Sequence, residues 1–387
     1  MKNIDSYLDY VESVAHNFLD AKSRAPICSE IESIRQKNAD PYLYLAVVGE
    51  FSSGKSTFIN ALAGERLLKD AVMPTTASAT YIRRRGDVRA IEVQFNSGRR
   101  MRATENDWNA LSTYLSRMCG VRSSSFRELI HALTSDSKAA VHVARLDIDL
   151  PEAPLPPNIV VIDTPGFNPG NDNGGDHLGI TSRVVGQVAD LAIILTPQEQ
   201  AMSASLSAFV AEKLGRFLHR CTFVVTKIDN QYIPQQRADT LLYVRGRIAA
   251  DLGLDDAPLY ALSSVAVLPG IMVPQGREDE FKALRADFAA FRSQTWKRIE
   301  QKHHIVLAEH VLTLLDRTLA GCKESLANRR KELEKEQEFL REHQIESVAV
   351  VTRSMAKKAI DAINGRLSEI NRFDAAFDAA AARAIGK

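Results

Sequence analysis

The stretch Gly49-Glu50-Phe51-Ser52-Ser53-Gly54-Lys55-Ser56 fits the pattern G-x-x-x-x-G-K-[ST], and its flanks dictate the local fold. Upstream, Tyr42-Leu43-Tyr44-Leu45-Ala46-Val47-Val48 is an apolar run of buried-strand character. Downstream, Thr57-Phe58-Ile59-Asn60-Ala61-Leu62 continues at helical spacing. Strand, glycine-containing loop and helix start, in that order, make a cradle for phosphate. The glycines let backbone N–H groups turn inward, and the helix start adds its positive dipole end. Lys55 can reach the β and γ phosphates, and Ser56 can ligate Mg²⁺. Gly49, Ser52, Ser53, Gly54, Lys55, Ser56 and Thr57 are the candidate phosphate-binding residues, and a nucleoside triphosphate is the expected guest.

Two further strand tips carry the remaining chemistry. Asn158-Ile159-Val160-Val161-Ile162 is an apolar strand ending in Asp163-Thr164-Pro165-Gly166. An acid there can hold the Mg²⁺ shell, and the Gly166 N–H can sense the γ-phosphate. The polar, glycine-rich stretch from Phe167 to Asp176 follows and has the character of a switch. Cys221-Thr222-Phe223-Val224-Val225 delivers Thr226-Lys227-Ile228-Asp229 to a carboxyl strand end, where ligands of open α/β sheets sit. Asp229 can accept from guanine N1 and its exocyclic amine, a pairing adenine does not offer, while the Lys227 stem lies over the ring. Leu262-Ser263-Ser264 can supply backbone N–H to guanine O6. A threonine must also close on Mg²⁺ and the γ-phosphate, and Met73-Pro74-Thr75-Thr76-Ala77 offers Thr76, with Thr75 the alternative. The metal set is therefore Ser56, Thr76 and Asp163, and the catalytic candidates are Ser52, Lys55 and Thr76.

Between Tyr42 and about Gly270, short apolar strands alternate with helical stretches, the pattern of a mostly parallel sheet covered on both faces. Expected strands are 79–83, 90–95, 141–149, 158–163, 189–195, 221–226 and 259–262. Asn96-Ser97-Gly98 has hairpin-turn character, which makes one edge antiparallel and the sheet mixed. The fold class expected is a P-loop α/β domain over residues 39–285, with helical segments over 1–38 and 286–387 forming an all-α bundle or stalk. In the first segment Ile4, Leu8, Val11, Ala15 and Phe18 make one amphipathic helix, and Ile27, Ile31 and Ile34 a second after a break at Pro26. In the last, Ile305, Leu312, Leu319, Leu326, Leu333 and Leu340 recur every seven residues, with Ala308, Leu315 and Cys322 as companions. An intramolecular seam against the N-terminal helices is favoured over an intermolecular coiled coil. A second helix carrying Met355, Ile363 and Leu367 would fold back. The end at Lys387, in mid-helical pattern, suggests a shortened version of a longer stalk.

Composition narrows the partners. Lys plus Arg number 49 against 48 Asp plus Glu, so no global field recruits nucleic acid or an anionic bilayer. Arg83-Arg84-Arg85 and the Arg99–Arg102 cluster lack interleaved aromatics and read as a solvated sheet edge. His177, His303 and His304 lack partners at metal spacing and read as solvated. Cys28, Cys119, Cys221 and Cys322 are far apart, which speaks for a reducing, cytoplasmic setting.

Gly-Glu-Phe-Ser-Ser-Gly-Lys-Ser-Thr, Pro-Thr-Thr-Ala, Asp-Thr-Pro-Gly and Thr-Lys-Ile-Asp together resemble the dynamin-like GTPases, especially the bacterial ones. The flanking helical zones are similar in architecture to the bundle of that family. The resemblance implies GTP hydrolysis with Mg²⁺, coupled to homodimerisation across the GTPase faces and to movement of a helical stalk. It also implies membrane remodelling by peripheral contact at the inner membrane. Two departures stand out. Phe51 occupies the loop position where eukaryotic dynamins carry a water-orienting glutamine, and Phe167 follows Gly166 where Ras-like GTPases place theirs. Slow intrinsic turnover is expected, with Ser52 the nearest loop residue to assist. The sequence offers no apolar hairpin or basic-aromatic loop to serve as a lipid-binding tip. The alternative reading is a GTP-regulated interaction module with slow hydrolysis, no membrane activity and a protein partner on its helical tail.

Overall fold

The structure, a computed structural model, describes residues 4–69, 79–166, 177–230, 234–342, 354–369 and 371–372. Thr75, Thr76 and the stretch from Phe167 to Asp176 lie outside them. The chain divides into two compact units, Pro41–His303 and Met1–Asp40 with His304–Lys387.

The first unit is built on a mixed sheet of nine described strands. These are β1 (Leu43–Gly49), β2 (Thr80–Arg83), β3 (Ala90–Phe95), β4 (Arg100–Thr104), β5 (Val143–Asp149), β6 (Ile159–Asp163), β7 (Leu191–Pro197), β8 (Cys221–Thr226) and β9 (Leu259–Ala261). Their order is β4-β3-β5-β2-β6-β1-β7-β8-β9. From β6 to β9 all pairings are parallel, whereas β2 runs antiparallel to β6, and β3 antiparallel to both β4 and β5. The hairpin expected at Asn96–Gly98 joins β3 to β4. Gly98 takes φ 84°, and its N–H donates to Phe95 O at 2.9 Å.

Continuous apolar runs form the central strands because both faces are covered. Along β1, Leu45 and Val47 face one core while Ala46 and Val48 face the other. The first core is shared with α3 (Lys55–Ala63), α4 (Asn109–Cys119) and α5 (Phe126–Ser135). The second is shared with α7 (Ala204–Leu214) and α8 (Pro234–Leu252), with Ile180 of α6 (His177–Arg183) packed against it. The helix α9 (Glu278–Glu342) begins in this unit, where Phe288 and Phe291 stack with Phe58 of α3 at ring separations of 5.8 Å. That aromatic cluster and Ile299 are why the unit runs to His303 and not to residue 285.

Two side chains read as solvated are not. The Arg83 guanidinium donates to Asp149 Oδ1 at 2.6 Å across the β2–β5 pair and keeps only 13% of its side-chain surface exposed. His303 Nδ1 lies 2.9 Å from Asp190 Oδ1, and Asp190 is fully buried, its Oδ2 accepting from Tyr44 N at 2.8 Å. Both pairs compensate a buried carboxylate that would otherwise be costly.

The second unit contains α1 (Ile4–Phe18) and α2 (Ala21–Ala39), with the later part of α9 and a helix over 354–369. Pro26 lies inside α2 rather than breaking it. The break falls earlier because Asp20 caps α2, its carboxylate accepting from Ser23 N at 2.7 Å. Leu8, Val11, Ala15, Ile27, Ile31 and Ile34 pack with Leu307, Val311, Leu314, Leu315, Leu319 and Cys322. Of the expected row and its companions, Leu319, Leu315 and Cys322 are among the residues packed against α1 and α2. The row drifts from strict heptads: Ile305 and Leu312 are half-buried, and Leu307, Val311 and Leu314 take the inner positions. A straight helix turns every 3.6 residues, so a seven-residue row shifts by about 20° per repeat, and Leu319, Leu326 and Leu333 are the members of the row that are buried. Arg366, from the helix over 354–369, lies over the Phe18 ring.

Candidate functional site

The loop between β1 and α3 sits beside β6 and β7, which flank β1 on opposite sides, so it opens at a switch in strand order. Two backbone conformations shape it. Gly54, immediately before α3, takes φ 88° and ψ 21°, and Ser52 takes φ 62°, a region that side chains avoid. Gly49 is needed for a different reason: a Cβ there would stand 2.9 Å from Leu195 O and 2.5 Å from Ser53 Oγ. The Lys55 ammonium donates to Gly49 O at 2.9 Å and to Glu50 O at 2.7 Å, folding over the loop that precedes it.

The Asp163-Thr164-Pro165-Gly166 corner closes against this loop. Thr164 Oγ1 donates to Val47 O at 2.7 Å, tying the end of β6 to β1. Gly166 comes so near the loop that a Cβ on it would lie 2.8 Å from Lys55 Nζ. Burial lowers the Lys55 ammonium to about 8, against the pull of Asp163 and Glu50. Burial raises the Asp163 carboxyl to about 6, against the pull of Lys55. Burial thus disfavours both charged forms by more than their mutual attraction favours them.

The segments expected to read the base reach the same edge. Thr226 Oγ1, at the end of β8, donates to Ser53 O at 2.7 Å and so fastens the third motif to the loop. Lys227 takes φ 61°, its ammonium 3.8 Å from Glu199. Asp229 Oδ1 and Ser264 Oγ are buried and without a hydrogen-bond partner among the described residues, as is Ser53 Oγ. Buried polar atoms left so are costly in a finished fold. Ser263 plays a different part, since its Oγ accepts from Ala266 N at 3.1 Å and shapes the turn after β9. A base edge and a phosphate are groups that would satisfy the unpartnered atoms, and the buried Asp163 carboxylate suits a divalent cation.

Sequence reasoning missed three groups. The Glu50 carboxylate, 9% exposed, accepts from Ser203 Oγ at 2.7 Å and from Ser205 Oγ, so the loop is anchored to the start of α7. Asn60 on α3 is buried and holds Leu67 N at 2.9 Å, Leu68 N at 2.7 Å and Leu68 O at 2.8 Å. Arg277, just before α9, donates to Asp229 O at 2.8 Å. Glu50 falls on an unspecified position of the loop pattern, and only Ser203 carries a local signal, as the N-cap of α7.

Residues 45–228 match the profile of the Dynamin family. Over 68 residues the chain is 41% identical to a bacterial dynamin-like protein of Nostoc punctiforme, covering 17% of this chain and 10% of that protein. Over 43 residues it is 56% identical to a probable transmembrane GTPase, FZO-like and chloroplastic, of Arabidopsis thaliana, covering 11% of this chain and 5% of that protein. An uncharacterised protein of a Caldicellulosiruptor species is 27% identical over 164 residues, which is 42% of this chain and 35% of its own length. The chain therefore matches well under two thirds of each relative. Among solved structures, one of an oligomerised bacterial dynamin pair aligns with TM-score 0.47 and 15% identity over 95% of this chain and 53% of that one. Aquifex aeolicus Era bound to GDP and aluminium fluoride aligns with TM-score 0.31 and 12% identity, over 57% of this chain and 50% of that one.

Proposed function

Starting from residues 45–228 as a dynamin-family GTPase domain, we propose that this chain binds GTP with Mg²⁺, hydrolyses its β–γ anhydride, and is activated when two copies meet across their nucleotide faces. The observation that carries the guanine assignment is the Asp229 carboxylate oxygen, buried without a donor among the described residues in the turn that follows β8. Guanine N1–H and its exocyclic amine are the donors it suits. Lys55 and the amides of residues 50–56 would bind the phosphates, and the Lys55 ammonium, already lowered by burial, gains most from an anion placed beside it. Ser56 and Asp163 would hold Mg²⁺, with Thr76 or Thr75 joining them; the ion neutralises charge on the β- and γ-phosphate oxygens when bound.

Activation by a second copy is supported by what surrounds the loop. Phe51 has no polar atom with which to aim a water, and the Glu50 carboxylate is occupied by two serine hydroxyls. Ser52 is exposed and is the loop side chain left to assist. Steady-state GTP turnover across protein concentrations tests this. Specific activity should climb between nanomolar and tens of micromolar. A flat profile, with no dimer in the presence of GDP and aluminium fluoride, would sink dimer activation.

How hydrolysis is used is a further part of the proposal. Coupling to a helical stalk and peripheral contact with the inner membrane follow the family reading. None of the described helices is long and apolar enough to cross a membrane. The alternative, a GTP-regulated module with slow hydrolysis and a protein partner, is distinguished by sedimentation with lipid vesicles.

A further inference from the structure

Both segments assigned to guanine are fastened to the first turns of α9 by arginines that play no part in the loop motifs. Arg277 Nη2 donates to the backbone oxygen of Asp229 at 2.8 Å. The same guanidinium is held by Glu280, through Nε to Oε2 at 2.6 Å and Nη2 to Oε1 at 2.8 Å. Glu280 also accepts from Arg237 of α8, and the Arg277 guanidinium lies 5.3 Å from the Phe281 ring centre. Two turns further on, Arg285 Nε donates to Ala266 O at 2.7 Å, in the turn that follows Ser263 and Ser264. Between the two arginines, Phe281 and Leu284 pack against Ile228 and Ala266 as a small core separate from those of the sheet.

The arrangement is specific in what it grips. Arg277 and Arg285 bond to backbone carbonyls of the two recognition segments and leave the atoms that would meet the base alone. Asp229 Oδ1 and Ser264 Oγ remain buried and unpartnered among the described residues. The segment carrying Asp229 is a single short turn, Ile228–Asn230, whose preceding residue Lys227 sits at positive φ. Such a turn has little to fix it by itself, and a charge-assisted bond to its carbonyl, backed by a bidentate carboxylate, supplies that rigidity.

We propose that Arg277, with Arg285, is a positioning residue for guanine: it sets the backbone of the Asp229 turn so that the carboxylate meets the base edge. The idea rests on the assignment of Asp229 as the guanine reader. It predicts a defect in base selection with phosphate binding intact.

The test is calorimetric titration of the full chain with GDP and ADP in the presence of Mg²⁺. Arg277→Met keeps the stem over Phe281 and removes the donors. GDP affinity should fall about tenfold, the worth of one hydrogen bond to a charged group, while ADP affinity moves by less than about twofold. Arg277→Lys, which retains a donor and charge, should recover part of the loss. If Arg277→Met does not fold, Arg285→Met and Arg277→Lys are read by the same GDP-to-ADP ratio. Unchanged GDP affinity, or equal losses for GDP and ADP, would overturn the proposal. Asp229→Asn reports separately on the underlying assignment through XDP binding. A swing from GDP toward XDP, with Arg277→Met unaffected, removes the positioning role alone. No swing removes the guanine assignment and the positioning role with it.

Discussion

Replacing Asp163 by asparagine should stabilise the nucleotide-free protein, and by an amount that depends on pH. Burial raises the folded-state carboxyl from 3.8 to about 6, and this shift already includes the attraction of Lys55. The sign follows from proton binding. Well below the ordinary value of 3.8, by about pH 3, the carboxyl is protonated in folded and unfolded chains alike and carries no penalty. Between about pH 3 and 6 the unfolded chain gives up its proton first, so folding stability falls as pH rises. Above pH 6 the full gap applies, on the order of 3 kcal/mol, of which about half has developed by pH 5. Asparagine keeps the shape and does not titrate. The melting temperature of Asp163→Asn should therefore exceed that of wild type by an increment that widens between pH 4.5 and 7.5. At roughly 2 °C per kcal/mol for a unit of this size, the widening is about 4 °C. Differential scanning calorimetry without nucleotide is the assay, and GDP with Mg²⁺ should stabilise wild type more than the variant. Parallel melting curves across that pH range, or a variant less stable than wild type at pH 7.5, would refute the reasoning.

Three other outcomes are expected. Lys55→Ala should weaken GDP binding by about 100-fold, since it removes charged donors to phosphate, while leaving the nucleotide-free melting temperature unlowered because a desolvated ammonium is lost with them. Glu50→Ala frees the loop from Ser203 and Ser205; it should cost roughly 2 kcal/mol in thermal stability and weaken GDP binding, and no change in either would show that the anchor is idle. Sedimentation with anionic liposomes, with and without GTP, separates the membrane reading from the interaction module: normal hydrolysis with no lipid binding in either state would leave only the latter.

Local chemistry made the sheet legible. Apolar runs such as Leu45–Val48 and Ile159–Ile162 are buried on both faces, and Asn96-Ser97-Gly98 carries its turn in its own residues. The motif residues Lys55, Asp163, Gly166, Thr226 and Asp229 converge because each ends or follows a strand of one sheet. What local pattern could not reveal was set by distant partners. Glu50 and Ser203 are separated by 153 positions, and Tyr44 and Asp190 by 146. His303 read as solvated because its partner is neither a helical nor a strand neighbour. Pro26 misplaced a helix boundary because a cap at Asp20 outweighs a proline within the following helix. The boundary near residue 285 failed to anticipate Phe288 and Phe291, since a helix with apolar residues does not announce which core receives them.

The carboxylates described around the site each face a partner. Glu50 holds Ser203 and Ser205, Asp163 faces Lys55, and Glu199 contacts Lys227 and Asn230. A group that orients water must have a lone pair free to do so, and it must be rigid when the bond breaks. Ser52 has the lone pair but is exposed on a turn held at positive φ. Contact that buries Ser52 would supply the missing rigidity and exclude bulk water at once. On the proposed reading, a second nucleotide face would do both. This is why turnover per molecule, followed against protein concentration, discriminates among the catalytic readings more sharply than any single substitution in the loop.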